Sequence, residues 1–175
     1  MKTKLLIIIP KVKYDLGVKE IISHVDKVLL PYCEETNCAP YIVKCKDDIT
    51  TEYEEYKDEY PDINEYCMKY HAGYLDENGN LVSTINNNAF WDMYEICDIK
   101  YWYNKDLDKS TTGDDVVDNC ISVNKLTEYK NMCLNSIDMI FDTEGNMFNV
   151  KSCATDIDNI FSKNENEYIL YLECQ

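Results

Sequence analysis

The sequence predicts a single α+β domain over residues 1–175, with a mainly antiparallel sheet and two to four helices packed on it. Three observations lead to this class. The chain has 175 residues and a 45% apolar content, enough to bury one core. Short β-branched or aromatic runs recur between turn signals, the pattern of strands joined by hairpins and loops. One stretch near the start has apolar residues at helical spacing instead.

Lys4 to Pro10 reads as a buried strand, continuously apolar from Leu5 and ended by proline. With Met1-Lys2-Thr3-Lys4 in front it imitates a secretory leader. However, an h-region needs roughly 7–15 apolar residues and a small-residue cleavage site, and Pro10-Lys11-Val12-Lys13 cuts this one off. The run is also far short of the ~20 residues needed to span a bilayer, so a cytoplasmic location is expected. Gly17 then opens a helix in which Val18, Ile21, Ile22, Val25, Val28 and Leu29 share one face, ending at Pro31. His24 falls on its polar side, where a solvated or locally bonded imidazole is expected.

Tyr41 to Cys45 alternates as a second strand. The segment from Asp47 to Asp62 is the most unusual in the chain. It holds Asp47, Asp48, Glu52, Glu54, Glu55, Asp58, Glu59 and Asp62 against the single Lys57. Tyr53, Tyr56 and Tyr60 return at spacings of three and four, giving a helix with one aromatic face and carboxylate elsewhere. Thr50 or Thr51 would cap it, with acids placed favourably in the first turn. Pro61 would interrupt it, and a helix from Ile63 to Tyr70 would resume with Tyr66, Cys67 and Tyr70 inward.

Asp76-Glu77-Asn78-Gly79-Asn80 is a turn between strand-like pieces. A loop at Asn86-Asn87-Asn88 precedes the aromatic block Phe90-Trp91-Asp92-Met93-Tyr94, whose Trp91 is expected to be largely buried. Ile99 to Tyr103 is expected as a strand, Lys105 to Asp115 as a loop, and Lys125 to Cys133 as a short helix. Ile137 to Phe141 and Met147 to Val150 flank Asp142-Thr143-Glu144-Gly145-Asn146, a hairpin signal. Ile157 to Phe161 forms one or two helical turns, and Tyr168 to Cys174 closes the chain as a strand.

The chain carries 33 Asp and Glu against 17 Lys and no Arg, a formal charge of -16. Such a field repels phosphates, so neither direct nucleic-acid binding nor an anionic membrane is an expected partner. Bidentate arginine clamps are excluded by composition. Nine cysteines, an odd number without a CxxC, argue for reduced thiols rather than a disulfide framework. Cys33 with Cys38 and Cys67 with His71 are loose pairs, short of the four ligands of a structural zinc site. No cofactor and no metal are expected. Nucleophilic catalysis would need a Ser or Cys beside His24 or His71, and no such motif surrounds either, so an enzyme is not expected. Neither GxxxxGK[ST] nor GxGxxG occurs.

Several segments together resemble a family of uncharacterised phage and prophage proteins. Asp26-Lys27-Val28-Leu29-Leu30-Pro31-Tyr32 with Tyr41-Ile42-Val43 is similar to that family's VLxPFDEN…PYV segment. Asn87 to Ile96 is similar to its NPxSKWDWYxIGGRW block, Phe141 to Met147 to its TPDGEW hairpin, and Leu172-Glu173-Cys174-Gln175 to its terminal VDCH. Here Cys97, Asp98, Ile99 and Lys100 replace the GGRW residues, and Glu173 and Gln175 replace the terminal Asp and His. The resemblance implies a shared fold and a mobile-element origin.

Two functions from different classes follow. The first is a non-enzymatic, phage- or prophage-encoded inhibitor of a host defence nucleoprotein, a CRISPR effector being the first target to name. Its carboxylates would replace phosphates in a basic nucleic-acid channel, with Asp47, Asp48, Glu52, Tyr53, Glu54, Glu55, Tyr56, Asp58, Glu59 and Tyr60 as the contact residues. The second is a domain that binds a small molecule or signalling nucleotide, with Phe90, Trp91, Tyr94 and Trp102 as pocket and Lys105 to Asp115 as lid. Acids gathered on one surface favour the first; an apolar cleft with inward lysines favours the second.

Overall fold

Leu5, Leu6, Ile7, Ile8 and Ile9 are all fully buried, and a strand buried on both faces belongs in the middle of a sheet. The computed structural model describes residues 2–99, 116–127, 135–152 and 156–175. In it strand β1 (Thr3–Ile9) is central, paired antiparallel with β9 (Tyr168–Cys174) and parallel with β7 (Met139–Phe141). Beyond β7 lies β8 (Met147–Asn149), and beyond β9 lie β5 (Tyr94–Cys97) and β6 (Ile121–Ser122), all antiparallel. The α+β class and the mainly antiparallel sheet therefore hold. All but Ile99 of the predicted Ile99–Tyr103 strand, the Lys105–Asp115 loop and most of the Lys125–Cys133 helix lie outside the described residues.

The chain divides into two compact units. The first comprises 1–33 and 90–175 and contains the six-stranded sheet. Alternation along β1 and β9 supplies both of its cores. Leu5, Ile7, Ile9, Leu170 and Leu172 meet helix α2 (Val18–Leu29) through Ile21, Val25, Val28 and Leu29. Leu6, Ile8, Ile169 and Tyr171 face Val123 and Leu126 of α6 (Val123–Leu126) and Ile157, Ile160 and Phe161 of α7 (Ile157–Lys163). Two further short helices, α1 (Lys11–Leu16) and α5 (Val116–Asn119), complete the described part of this unit.

The chain leaves this unit at Cys33 and returns at Phe90, whose N–H donates to the Tyr32 carbonyl at 2.9 Å. Part of the aromatic block packs there. Phe90 lies 5.5 Å from Tyr32, and the Trp91 indole donates to the Leu29 carbonyl at 2.8 Å. Trp91 is partly buried, packed against the core that holds Leu29. His24 is buried rather than solvated. It is 8% exposed, and its Nε2 lies 3.3 Å from the Ile8 carbonyl, because the ring reaches past the helix edge to the sheet.

The second unit, 34–89, has a three-stranded antiparallel sheet in the order β2-β4-β3. Its strands are β2 (Tyr41–Lys44), β3 (Tyr74–Leu75) and β4 (Leu81–Ser83), with helices α3 (Lys46–Tyr53) and α4 (Ile63–His71). Ile49, Tyr66, Cys67 and Leu81 form its small core. Seven α-helices occur among the described residues, shorter and more numerous than the two to four expected.

Candidate functional site

All ten residues singled out as a contact surface fall in the second unit, which carries thirteen acids against four lysines in 56 residues. The segment does not form one long helix. Helix α3 ends at Tyr53, turns follow from 54 to 59, and α4 starts at Ile63 behind an Asp62 N-cap that accepts the Asn64 N–H at 2.9 Å. Thr50 and Thr51 do not cap α3. They sit inside it and donate back to the Lys46 and Asp47 carbonyls at 2.7 and 2.8 Å, which frees the first turn for Asp47 and Asp48.

The turn between the helices folds its tyrosines back on α4. Tyr53, Tyr56 and Tyr60 ring Tyr66 at centroid distances of 5.5, 5.0 and 6.2 Å, and Tyr66 is 1% exposed. The Tyr53 hydroxyl donates to the Tyr60 carbonyl, tying the ends of the turn together. Tyr70, expected inward, is 48% exposed: it lies one turn beyond Tyr66, where the core has run out, and covers Tyr56 and Tyr60 from outside. Hydrogen bonding to Tyr70 and desolvation push the Tyr60 hydroxyl up to about 12.

Glu52 parts company with the other acids. Its carboxylate accepts the Tyr66 hydroxyl at 2.6 Å and His71 Nε2–H at 2.7 Å, and is ion-paired with Lys44. These donors, Lys44 foremost, hold the carboxyl down at about 2. Glu52 is thus committed within the unit, and spacing alone had no means to separate it from its neighbours. Asp47, Asp48, Glu54, Glu55, Asp58 and Glu59 are exposed, as the surface reading requires. Asp48 accepts the Cys45 thiol at 2.9 Å, and Glu54 pairs with Lys57 at 2.6 Å.

Cys67 is fully buried, which pushes its thiol up, and His71 faces Glu52 instead. Cys33 is buried in the first unit, while Cys38 lies in the second and donates to the Ile85 carbonyl at 3.4 Å. No disulfide joins any two of the described cysteines; Cys133 and Cys153 lie outside them. Among the described residues one group brings three potential metal donors together, Glu95, Cys97 and Glu173 on β5 and β9. Glu95 and Glu173 are directly opposite in register, and the Lys2 ammonium stands 3.6 and 3.2 Å from them. The Tyr171 hydroxyl adds a 2.6 Å bond to Glu173.

Trp102 and the Lys105–Asp115 segment, pocket wall and lid of the small-molecule reading, lie outside the described residues. Among the described residues no helix is long and apolar enough to cross a membrane. No protein family, curated protein or solved structure matches the chain.

Proposed function

We propose that the second unit is a polyanionic docking module that occupies a basic, nucleic-acid-binding surface of another protein. The observation that carries this reading is the separation of roles within one short segment. Glu52 is used to hold the fold, whereas Asp47, Asp48, Glu54, Glu55, Asp58 and Glu59 are left in solvent around a tyrosine-stacked base. Exposed acids contribute little to folding, and crowding many of them on one short segment costs self-repulsion with little structural return. Toward a Lys- and Arg-rich groove the same charges sum into steering and contact.

The resemblance to phage and prophage proteins supports a host defence nucleoprotein, such as a CRISPR effector, as the owner of that groove. In that setting the chain is an inhibitor that competes with the nucleic acid. The test is capture from a bacterial lysate on the immobilised chain, at low and high salt, with heparin as a competing polyanion. Retention of a nucleic-acid-binding protein that both salt and heparin release supports the reading. A ligand retained through high salt and heparin, or none at low salt, contradicts it.

A further inference from the structure

The rings of Tyr56, Tyr60 and Tyr70 form a cluster in which Tyr70 is 48% exposed and meets the partly buried Tyr56 and Tyr60 at interplanar angles of 44 and 86°. Tyr70 lies 5.4 Å from Tyr56 and 5.6 Å from Tyr60 between centroids, and Tyr66 backs the cluster at 5.0 Å from both Tyr56 and Tyr70. Tyr66 is held in turn by its hydroxyl on Glu52. The exposed Tyr70 ring is therefore packed from behind, which lowers the entropy cost of ordering it on contact. Exposed Glu55, Asp58 and Glu59 border the cluster, because they alternate with Tyr56 and Tyr60 in the same turn.

The chemistry of this surface selects its occupant. A ring face attracts a cation, and a neighbouring carboxylate pairs with it. A guanidinium answers both at once, since it is planar, weakly hydrated and stacks while its edge donates to a carboxylate; an ammonium is compact and strongly hydrated. The chain has no arginine of its own to cover the Tyr70 ring, and Lys57, the cation within the turn, is held by Glu54. A second copy would bring like charge against like charge. We propose that the exposed Tyr70 ring of the Tyr56–Tyr60–Tyr70 cluster is the specificity element of the acidic surface and selects arginine over lysine in the partner's basic segment. This rests on the docking function proposed above and adds the side chain it reads.

The experiment compares labelled octa-arginine and octa-lysine peptides by fluorescence anisotropy, using the whole chain at about 0.15 M salt. Wild type is expected to bind octa-arginine about three- to tenfold more tightly. Tyr70→Phe, which keeps the ring, should retain this ratio, and Tyr70→Leu should bring it close to one with octa-lysine binding unchanged. Equal affinity of wild type for the two peptides overturns the inference, and this arm needs no variant to fold. A preference that survives Tyr70→Leu overturns it as well. In both cases salt-sensitive binding of either peptide leaves the docking function standing. If neither peptide binds, the docking function itself fails, and the arginine preference with it.

Discussion

Glu52 and His71, nineteen residues apart, meet at 2.7 Å, with the imidazole Nε2–H donating to the carboxylate. This contact joins the end of α3 to the end of α4, and Lys44 on β2 and the Tyr66 hydroxyl close on the same carboxylate. In so small a unit, with Ile49, Tyr66, Cys67 and Leu81 as its core, a polar clasp of this kind bears a large share of the cohesion.

The clasp predicts acid sensitivity with a definite sign. Glu52 ionises at about 2 in the folded chain and near 4.5 without its partners. Between these values the unfolded state binds more protons, so its contribution is full above about pH 5 and lost as pH falls toward 2. With its partners partly in solvent, the effect should be about 1–2 kcal/mol. Glu52→Gln should therefore destabilise the second unit at pH 7 and flatten its loss of stability across that window. Near-ultraviolet circular dichroism of its tyrosines reads the transition.

His24 predicts a second pH dependence, in the first unit. Its Nε2 donates to the Ile8 carbonyl, and burial pushes its pKa below 6.5, with Lys13 and Lys27 nearby adding in the same direction. The folded state holds it neutral, so stability should fall as pH drops below about 6.5, where the unfolded imidazole charges first. His24→Gln, which keeps a donor for Ile8, should leave the unfolding midpoint flat from pH 7 to 5. A midpoint that still falls as in wild type would place the titrating group elsewhere.

Trp91 gives a prediction about packing. Emptying a fully buried aromatic site costs about 3–5 kcal/mol, but Trp91 is half-buried. Trp91→Ala should cost about 2–3 kcal/mol, and Trp91→Phe about 1 kcal/mol for the bond to Leu29. Denaturant titration of the two variants checks both values.

Local chemistry made much of this fold legible. Asp76-Glu77-Asn78-Gly79-Asn80 and Asp142-Thr143-Glu144-Gly145-Asn146 share an Asp-x-x-Gly-Asn frame, and each folds identically. The Asp carboxylate accepts backbone N–H groups two and four residues on at 2.9 Å, and the glycine takes a φ of +80 or +86°. The continuous apolar run of β1 announced a central strand for a comparable reason. What remained hidden depends on partners distant in sequence. Strand β5 reads as an aromatic block because its register is set by β9, 78 residues away at Glu95 and Glu173. His24 looked solvated because its partner is on β1, and Glu52 looked like one acid among eight because Lys44 comes from β2 and Tyr66 and His71 from α4.

The most direct measurement concerns the exposed acids outside the Glu52 clasp. Glu54→Gln, Glu55→Gln, Asp58→Asn and Glu59→Gln together remove four exposed charges while leaving the Glu52 clasp intact. Because surface pairs are worth roughly 0–1 kcal/mol, the melting temperature should stay close to that of wild type. Binding to a captured basic partner should weaken, and the slope of log Kd against log salt concentration should become markedly shallower, since fewer charges are exchanged on association. An unchanged affinity and salt slope in the fourfold variant would contradict the docking function outright.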